Sequence, residues 1–443
     1  MEDVACEICG SMEYDILLDK VFLCGRNNWK KEGKVLFFNG IPVNYRNVCC
    51  KKCGLVYVNP RLTDEETVEF YKKQYREIYS AKDELKVNNL PFTNLHLGIE
   101  IYNAVVRYDF LERLGYLKKD INTLDIGSSL GALPAYLKEK GCNAYGIEVS
   151  PFSECTKDLF GIDTIFKMPF EGFQTDMKFD IITICDALEH FSHPQKVLMK
   201  IRDLLKDDGI VLIEVPDIFK PHKNLISFFS NAHLFTFSLN SMRNILNVSG
   251  FDILHFEYGG YCMNMRIVAK KAEFKKLEFR DDFNSIADFL LRYHNVYTAM
   301  DKYKQNKLSY ELSMDIVKKN IPEYNVIKFT EGFRTYEKGN LSSAKELLME
   351  CLKSDFNEEN LCFQKGNIYG LLAVVCFNSR DFANARHFME RAFELLPRLY
   401  GFPYLEKIAE RGIFDIKKFV LDMKLSYEDL FKMKEIFNNR KKS

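Results

Sequence analysis

The chain has 443 residues, more than one hydrophobic core usually organises, so its length predicts two or three domains. Hydrophobic residues make up 47% of it, and 62 basic residues balance 62 acidic ones. This balance excludes the broad basic surface that binding to nucleic acid or to an anionic membrane requires. The N-terminus lacks the basic and apolar pattern of a secretory signal, and no apolar run is long enough to span a membrane. We therefore expect a cytoplasmic protein.

Two C-x-x-C pairs lie near the N-terminus of this chain. In a reducing compartment paired thiols favour a metal over a disulfide, and two such pairs can complete a closed tetrahedral zinc site that stabilises a fold. The predicted ligands are Cys6, Cys9, Cys50 and Cys53. Cys49 and Cys24 are alternative ligands, and free cysteines packed as small apolar residues are the alternative to a metal. The sequence thus predicts a zinc-ribbon module over residues 1–60, with an inserted hairpin between the two pairs.

Residues 61–118 form a predicted helical connector. The sequence TDEE beginning at Thr63 is a helix-start signal, and apolar residues then recur at helical spacing as far as Tyr79. A second helix is predicted over 97–114.

Residues 119–272 alternate between apolar strand-like runs and segments of helical period. Strand-like runs begin at Thr123, Ala144, Phe179 and Ile210, and predicted helices over 130–140, 150–159 and 194–205 separate them. Such alternation predicts a parallel sheet covered by helices on both faces. A further helix over 239–248 and two further strands over 251–258 and 263–270 follow, and the Gly-Gly between these strands predicts an antiparallel last strand.

A small-residue loop, DIGSSLG at 125–131, follows the first strand of this region and opens a helix. Gly127 and Gly131 allow a tight turn and close ligand approach, and Ser128 keeps the loop small. Asp125 would repel a pyrophosphate but suits a cofactor that carries an ammonium and a sulfonium group. Glu148 ends the next strand, where a carboxylate can accept hydrogen bonds from ribose hydroxyls. Ser150, which follows it, is the predicted helix cap.

Four consecutive motifs resemble those of class I S-adenosylmethionine-dependent methyltransferases: DIGSSLG, GIEVSP, FDIITICDALEHF and LLKDDGIVLIEVP. The resemblance implies a Rossmann-like seven-stranded domain that binds S-adenosylmethionine. It also implies that Asp125, Gly127, Ser128 and Gly131 surround the methionine part of the cofactor and Glu148 its ribose, and that Asp186 closes the far side of the pocket. Ser129 stands where the family more commonly has glycine. A catalytically inactive member of the family is the alternative.

The sequence CKKCGLVYVNPR at 50–61, followed by the predicted helix that carries Phe70, Tyr71, Tyr75 and Tyr79, resembles zinc-bearing methyltransferases that modify deoxysugars and bacterial surface polysaccharides. This resemblance covers residues 5–80. Two histidines are candidates for the base that such a reaction needs. His190 lies just past the strand that begins at Phe179. His233 lies in an aromatic-rich insert over 217–237 that is long enough to act as an acceptor lid. The resemblance favours His233, and a structural role is the alternative for each.

Residues 273–443 are predicted to be helical. Two segments align at a spacing of 41 residues, and the aligned pairs are Gly332 with Ala373, Ala344 with Ala385, Cys351 with Ala392, and Phe356 with Pro397. Small residues at repeated offsets permit close helix packing and resemble tetratricopeptide repeats, with an insertion near residues 357–363. An ordinary helical bundle is the alternative.

The sequence thus predicts an α/β protein with an N-terminal zinc ribbon, a methyltransferase domain and a C-terminal all-α, repeat-like domain. The predicted activity is methyl transfer to a sugar, nucleotide sugar or polysaccharide precursor, at oxygen or carbon. Methylation of a protein or lipid-linked acceptor docked by the C-terminal helices is one alternative. A non-catalytic cofactor-binding scaffold that recruits a protein partner is the other.

Overall fold

The computed structural model describes most of the chain up to residue 395. The described residues are 2–18, 29–32, 35–38, 41–43, 46–73, 94–219, 228–229, 232–259, 264–277, 282–304, 307, 309, 312–313, 315–316, 319, 331–332, 335–336, 338–353 and 365–395. Their contacts define two compact units, one with the described residues up to 284 and the other with those from 285 onward.

The described part of the N-terminal region contains six short strands: β1 (Tyr14–Leu18), β2 (Trp29–Glu32), β3 (Val35–Phe38), β4 (Ile41–Val43), β5 (Asn47–Cys50) and β6 (Val56–Val58). Strands β2, β3 and β4 form an antiparallel sheet of their own between the two C-x-x-C pairs. Strands β1, β5 and β6 pair antiparallel in a second sheet, which brings the two cysteine pairs to one end of the module.

Seven strands form the central sheet: β7 (Asn122–Ile126), β8 (Asn143–Ile147), β9 (Ile165–Phe166), β10 (Phe179–Cys185), β11 (Leu205–Val215), β13 (Phe251–Gly259) and β14 (Asn264–Lys271). Their order is β13-β14-β11-β10-β7-β8-β9. Strands β7 to β11 run parallel, whereas β14 is antiparallel to both of its neighbours. The predicted sheet with an antiparallel last strand is therefore confirmed.

Ten helices are described: α1 (Asp64–Lys73), α2 (Asn94–Arg113), α3 (Ala132–Glu139), α4 (Thr156–Phe160), α5 (Pro194–Leu204), α6 (Leu239–Val248), α7 (Asp282–Lys304), α8 (Leu341–Lys353), α9 (Lys365–Asn378) and α10 (Phe382–Leu395). The predicted start of α1 is present as a reciprocal cap. The Glu66 amide donates to Thr63 Oγ1 at 3.3 Å, and the Thr63 amide donates to a Glu66 carboxylate oxygen at 2.9 Å.

Residues of β10 alternate between the two faces of the central sheet. Ile182 and Ile184 pack with buried residues of α5 and α6, whereas Ile181 and Cys185 pack against Phe110 of α2 on the opposite face. This alternation follows from the two-residue side-chain period of a strand, and burial on both faces explains why most residues of β10 are apolar. Helix α2 is thus one covering layer of the sheet.

A two-residue strand, β12 (Phe235–Thr236), connects the central region to the N-terminal module. Phe235 pairs with Tyr57 and Thr236 with Val56, so β12 becomes the fourth strand of the sheet β1-β5-β6-β12. The N-terminal sheet is therefore completed by residues that follow β11 in the chain.

The second unit contains helices α8, α9 and α10, which meet in sequence order. The turns before α8 and α10 match at the predicted repeat spacing. Gly339 and Arg380 both have a positive φ, and the side chains of Asn340 and Asp381 accept hydrogen bonds from the amides of Ser343 and Asn384, respectively. Each turn therefore begins a helix with the same capping geometry.

The small residues of the predicted repeat that lie in described helices are buried: Ala344, Cys351, Ala373, Ala385 and Ala392. A Cβ added at Gly332 would meet the Leu348 side chain at 2.9 Å, so the backbone approaches α8 closely there. Phe356 and Pro397 lie outside the described residues. Among the described helices, none combines the length and apolar character needed to cross a membrane.

Candidate functional site

The small-residue loop lies between β7 and α3, at the carboxyl edge of the central sheet. Gly127 has φ 75° and Gly131 has φ 82°, so both adopt the left-handed conformation that glycine accepts without strain. The amides of Gly127 and Ser128 both donate to the carbonyl of Ile147, at 2.9 and 3.0 Å. These bonds fix the loop to the end of β8.

Two glycines of this loop lie against other chain segments. A Cβ added at Gly127 would meet the Cβ of Ala187 at 2.8 Å, and one added at Gly131 would meet Thr156 at 2.5 Å. Any side chain at these positions would therefore clash as well as strain the backbone. The Ser128 hydroxyl, which lies between them in the chain, is buried and has no hydrogen-bond partner within the described residues.

Glu148 at the end of β8 faces the same loop. One carboxylate oxygen accepts from the Ser129 amide at 2.8 Å and the other from the Ser150 amide at 2.6 Å. Ser150 occupies the predicted N-cap position, before a short 3-10 helix over Pro151–Glu154, but its hydroxyl makes no capping bond within the described residues. Each Glu148 oxygen keeps a second lone pair with which to accept another donor.

Asp125, the last residue but one of β7, is buried, and the Thr183 hydroxyl of β10 donates to its carboxylate at 2.6 Å. Burial raises the pKa of Asp125 to about 7, although the Thr183 hydrogen bond and the charge of Arg107 act in the opposite direction. A cationic ligand beside this carboxylate would favour its ionised form.

Asp186 follows β10 at the same edge, with φ 53°. Arg107 of α2 donates to its carboxylate at 2.8 Å, and the Asn264 side-chain amide donates to the other oxygen. Arg107 also donates to Glu214 at 2.7 Å, and Arg266 donates to Glu214 at 2.5 Å. This buried network behind Asp186 has no local sequence signal, because its members come from four separate elements.

The two predicted histidines come together at this rim. The rings of His190 and His233 meet edge to face, with centroids 4.9 Å apart. Nδ1 of His190 lies 2.7 Å from the carbonyl oxygen of Ala232. A carbonyl can only accept, so Nδ1 carries the proton and Nε2 of the neutral ring carries the lone pair. His190 is therefore oriented to accept a proton at Nε2.

Glu189 adds a carboxyl group to this pair, although it was not among the residues predicted from the sequence. The ligating atoms of Glu189, His190 and His233 all lie within 4.8 Å of one another. Glu189 is 1% exposed, and its Oε2 has no partner within the described residues. Burial raises the pKa of Glu189 well above its ordinary value, with a further contribution from the charge of Asp186. The group can thus hold a proton beside the two imidazoles.

The four predicted cysteine ligands also come together. Their sulfurs lie within 4.8 Å of one another, with 3.4 Å between Cys6 and Cys53 and 3.5 Å between Cys9 and Cys50. Hydrogen bonds from Cys53 and Cys6 hold the pKa of the Cys50 thiol below its ordinary value. Cys49 is buried outside this cluster, with its sulfur 3.6 Å from the carbonyl oxygen of Gly54. Cys24 lies outside the described residues.

A family model described as a methyltransferase domain matches residues 101–256. No curated protein sequence matches the chain. Similar solved structures include an S-adenosylmethionine-dependent methyltransferase from Clostridium acetobutylicum, at 13% identity over 40% of this chain and 92% of the other, with a TM-score of 0.33. Magnesium protoporphyrin IX methyltransferase from Synechocystis with bound cofactor is similar at 16% identity, 48% of this chain, all of the other and a TM-score of 0.35.

The family match extends from α2 to β13 and includes the small-residue loop, Glu148 and both histidines. The seven-stranded sheet, with its loop and acidic residues at one edge, has the architecture that the motifs predict. Residues 101–256 therefore match a methyltransferase domain, with a sheet and loop of the class I S-adenosylmethionine-dependent type, and the protein is an enzyme.

Proposed function

We propose that this enzyme methylates a sugar, carried as a nucleotide sugar or a polysaccharide precursor, at an oxygen or a carbon. The histidine pair at the carboxyl edge of β10 carries the proposal. A sugar hydroxyl is a weak nucleophile at neutral pH and must lose its proton as the new bond forms. The sugar class is supported by the resemblance of residues 5–80 to sugar-modifying methyltransferases.

S-adenosylmethionine supplies the methyl group as a sulfonium, and the residues of the small-residue loop fit such a molecule. The unpartnered Ser128 hydroxyl offers a donor and an acceptor, and Gly127, an exposed residue of the loop, leaves its backbone open to a ligand. Asp125 would hold the cationic methionine part, and Glu148 would accept from the ribose hydroxyls. Asp186, fixed by Arg107 and Asn264, would close the far side of the pocket.

His233 is the proposed base, and His190 its oriented partner. For methylation at oxygen, His233 would take the hydroxyl proton while the acceptor oxygen bonds to the methyl carbon, the bond from that carbon to sulfur breaks, and S-adenosylhomocysteine leaves. For methylation at carbon, it would remove a proton from the carbon beside a keto group. The contact of His190 with the Ala232 carbonyl fixes its ring, so that its Nε2 can stabilise or receive that proton. The part of the predicted lid over 220–227 lies outside the described residues.

We further propose a structural zinc ion held by the four clustered cysteines. Two facing C-x-x-C turns fit the closed tetrahedral arrangement of thiolates around such an ion. A site with four protein ligands keeps no open position, so its role is to stabilise the N-terminal module. None of the described cysteines is in a disulfide bond, which agrees with a reducing compartment and supports a cytoplasmic location.

Release of S-adenosylhomocysteine with a panel of nucleotide sugars tests the proposal. We expect one sugar class to be turned over, and His233→Gln to lower kcat by about 100-fold while the Kd for S-adenosylmethionine stays within about twofold. The matched control is His255→Gln, an exposed histidine of β13 that we expect to have wild-type activity. Full turnover by the His233→Gln variant would overturn the assignment of the base.

A second candidate is a protein or lipid-linked acceptor docked by the C-terminal helices. The repeated capping of Asn340 and Asp381 supports a repeat array, and arrays of this kind are docking surfaces. The tetratricopeptide assignment itself belongs to this proposal. Turnover of a soluble nucleotide sugar that survives deletion of residues 285–443 would count against a docked acceptor.

A further inference from the structure

The two segments that carry His190 and His233 both form hydrogen bonds with one short stretch of the N-terminal module. We name the stretch from Val58 to Arg61 the 58–61 segment. The Val58 amide donates to the carbonyl of Leu234 at 2.9 Å, directly after His233 in the chain. The Arg61 guanidinium donates to the carbonyl of Ser192 at 2.5 Å, two residues after His190.

The 58–61 segment is itself firmly held. Asn59 is fully buried, and its side-chain oxygen accepts from the Val4 amide at 2.9 Å. The backbones of Glu2 and Arg61 exchange two hydrogen bonds of 2.8 and 3.0 Å. The Asn59 amide also donates to the carbonyl of Arg46 at 2.9 Å. The segment can therefore act as a rigid reference for whatever it contacts.

Arg61 is 2% exposed, which is unusual for an arginine and requires compensating partners. Glu2 and Glu7 place carboxylate oxygens 3.6 Å from its guanidinium. Glu7 in turn lies 2.7 Å from Nδ1 of His193, the residue that precedes helix α5. The N-terminal module thus binds the loop after His190 through the side chains of Arg61 and Glu7. It binds the segment after His233 through the pairing of β6 with β12.

We propose that the 58–61 segment sets the separation and orientation of the two active-site histidines, with Arg61 as a positioning residue for methyl transfer. This proposal rests on the proposed function, in which these histidines handle the acceptor proton. The contact of His190 with the Ala232 carbonyl joins the segment that carries His190 to the segment that carries His233. A misplacement of about 1 Å at such a site can lower a rate by about 100-fold, so a residue outside the acceptor site can control turnover.

Hydrogen exchange of the full-length protein tests the positioning directly and requires no acceptor. In Arg61→Met we expect faster amide exchange in peptides that cover residues 188–194 and 232–237. Peptides that cover the small-residue loop at 125–131 should exchange as in the wild type, and the Kd for S-adenosylmethionine should stay within about twofold. The matched control is Arg113→Met, which removes an ion pair between the exposed Arg113 of α2 and Glu257 of β13.

Turnover provides the second measurement. With the acceptor that the nucleotide-sugar panel identifies, Arg61→Met should lower kcat by about 10- to 100-fold and shift the limb of the pH profile that reports the histidines. Arg61→Lys, which keeps the charge but not the planar donor group, should recover part of both changes. If Arg61→Met does not fold, Glu7→Gln should give the same local exchange pattern with a smaller amplitude.

Exchange that rises evenly across the protein, together with weaker cofactor binding, would show that Arg61 only stabilises the fold and would overturn the proposal. Unchanged exchange and kcat in Arg61→Met would overturn it as well. Failure of the proposed function has a different signature, because His233→Gln would then retain turnover whatever Arg61→Met does.

Discussion

The Thr183 hydroxyl donates a 2.6 Å hydrogen bond to Asp125 across the pair of strands β7 and β10, and both side chains are buried. The bond joins a carboxylate of the proposed cofactor pocket to the strand that ends beside the histidine pair. Burial nevertheless raises the pKa of Asp125 to about 7, since one hydroxyl does not replace the lost water.

The raised pKa of Asp125 predicts a dependence of stability on pH. In the unfolded chain this carboxyl titrates near about 4, so between that value and about 7 the folded state holds a proton that the unfolded state has lost. The Asp125 contribution to the free energy of unfolding should therefore fall, by on the order of a few kcal/mol, as the pH rises through this window. Urea titrations without cofactor measure it, and Asp125→Asn should lack this part of the slope. Equal slopes in both proteins would contradict the prediction.

Ser129 stands in the small-residue loop with φ 49°, a conformation that costs a residue with a Cβ about 1 kcal/mol. Ser129→Gly should therefore raise the free energy of unfolding by about 0.5 kcal/mol after the added chain entropy is included. Its amide still donates to Glu148, so cofactor binding should persist. Ser129→Ala keeps the strain and serves as the control, for which we expect no gain in thermal stability. A Ser129→Gly variant less stable than Ser129→Ala would contradict this reasoning.

Glu214 is 1% exposed and lies between Arg107 and Arg266. Burial alone would raise its pKa, but the two guanidinium groups outweigh burial and hold the pKa below its ordinary value. Glu214→Gln should lower the free energy of unfolding by about 3 kcal/mol, because both arginines lose a buried charge partner. Glu257→Gln removes a half-buried partner of Arg266, and we expect a loss below about 1 kcal/mol. Chemical denaturation compares the two variants.

The cysteine cluster predicts about one zinc ion per chain, measurable by elemental analysis of the purified protein. Cys50→Ser should lose most of this zinc and the stability of the N-terminal module. Cys49→Ser is the matched control, because Cys49 is the neighbouring buried thiol but lies outside the cluster. Equal zinc content in the two variants would remove Cys50 from the ligand set.

Local patterns in the sequence identify most of the central sheet and of its acidic edge. The apolar strands and the small-residue loop follow short-range rules of side-chain period and backbone conformation, and the order of β10, β7 and β8 brings Asp125, Glu148 and Asp186 to one edge. The two C-x-x-C pairs meet because β1 pairs with β5, with Tyr14 opposite Cys50. The cap at Thr63 depends on only four consecutive residues, so it too can be predicted from the sequence.

Contacts between distant segments are what the sequence conceals. Strand β12 has two residues, too few for any period to show, and its partner β6 lies far away in the chain. Arg61 and Glu189 are charged residues that look exposed until the fold buries them, and the Arg107 network joins four elements. Ser150 has the residue type and the position of an N-cap, but the residue type alone does not reveal that its hydroxyl makes no capping bond within the described residues.

The pairing of β12 with β6 has a consequence for biosynthesis. A ribosome releases the cysteine-bearing segment first, yet the last strand of that segment's sheet is translated only after β11 of the central sheet. During synthesis the edge of β6 therefore stays unpaired until β12 has been made, and an unpaired strand edge favours association with other chains. Zinc binding by the four thiols early in synthesis would stabilise the N-terminal module at this stage. Expression in zinc-depleted medium should therefore increase the insoluble fraction of the protein.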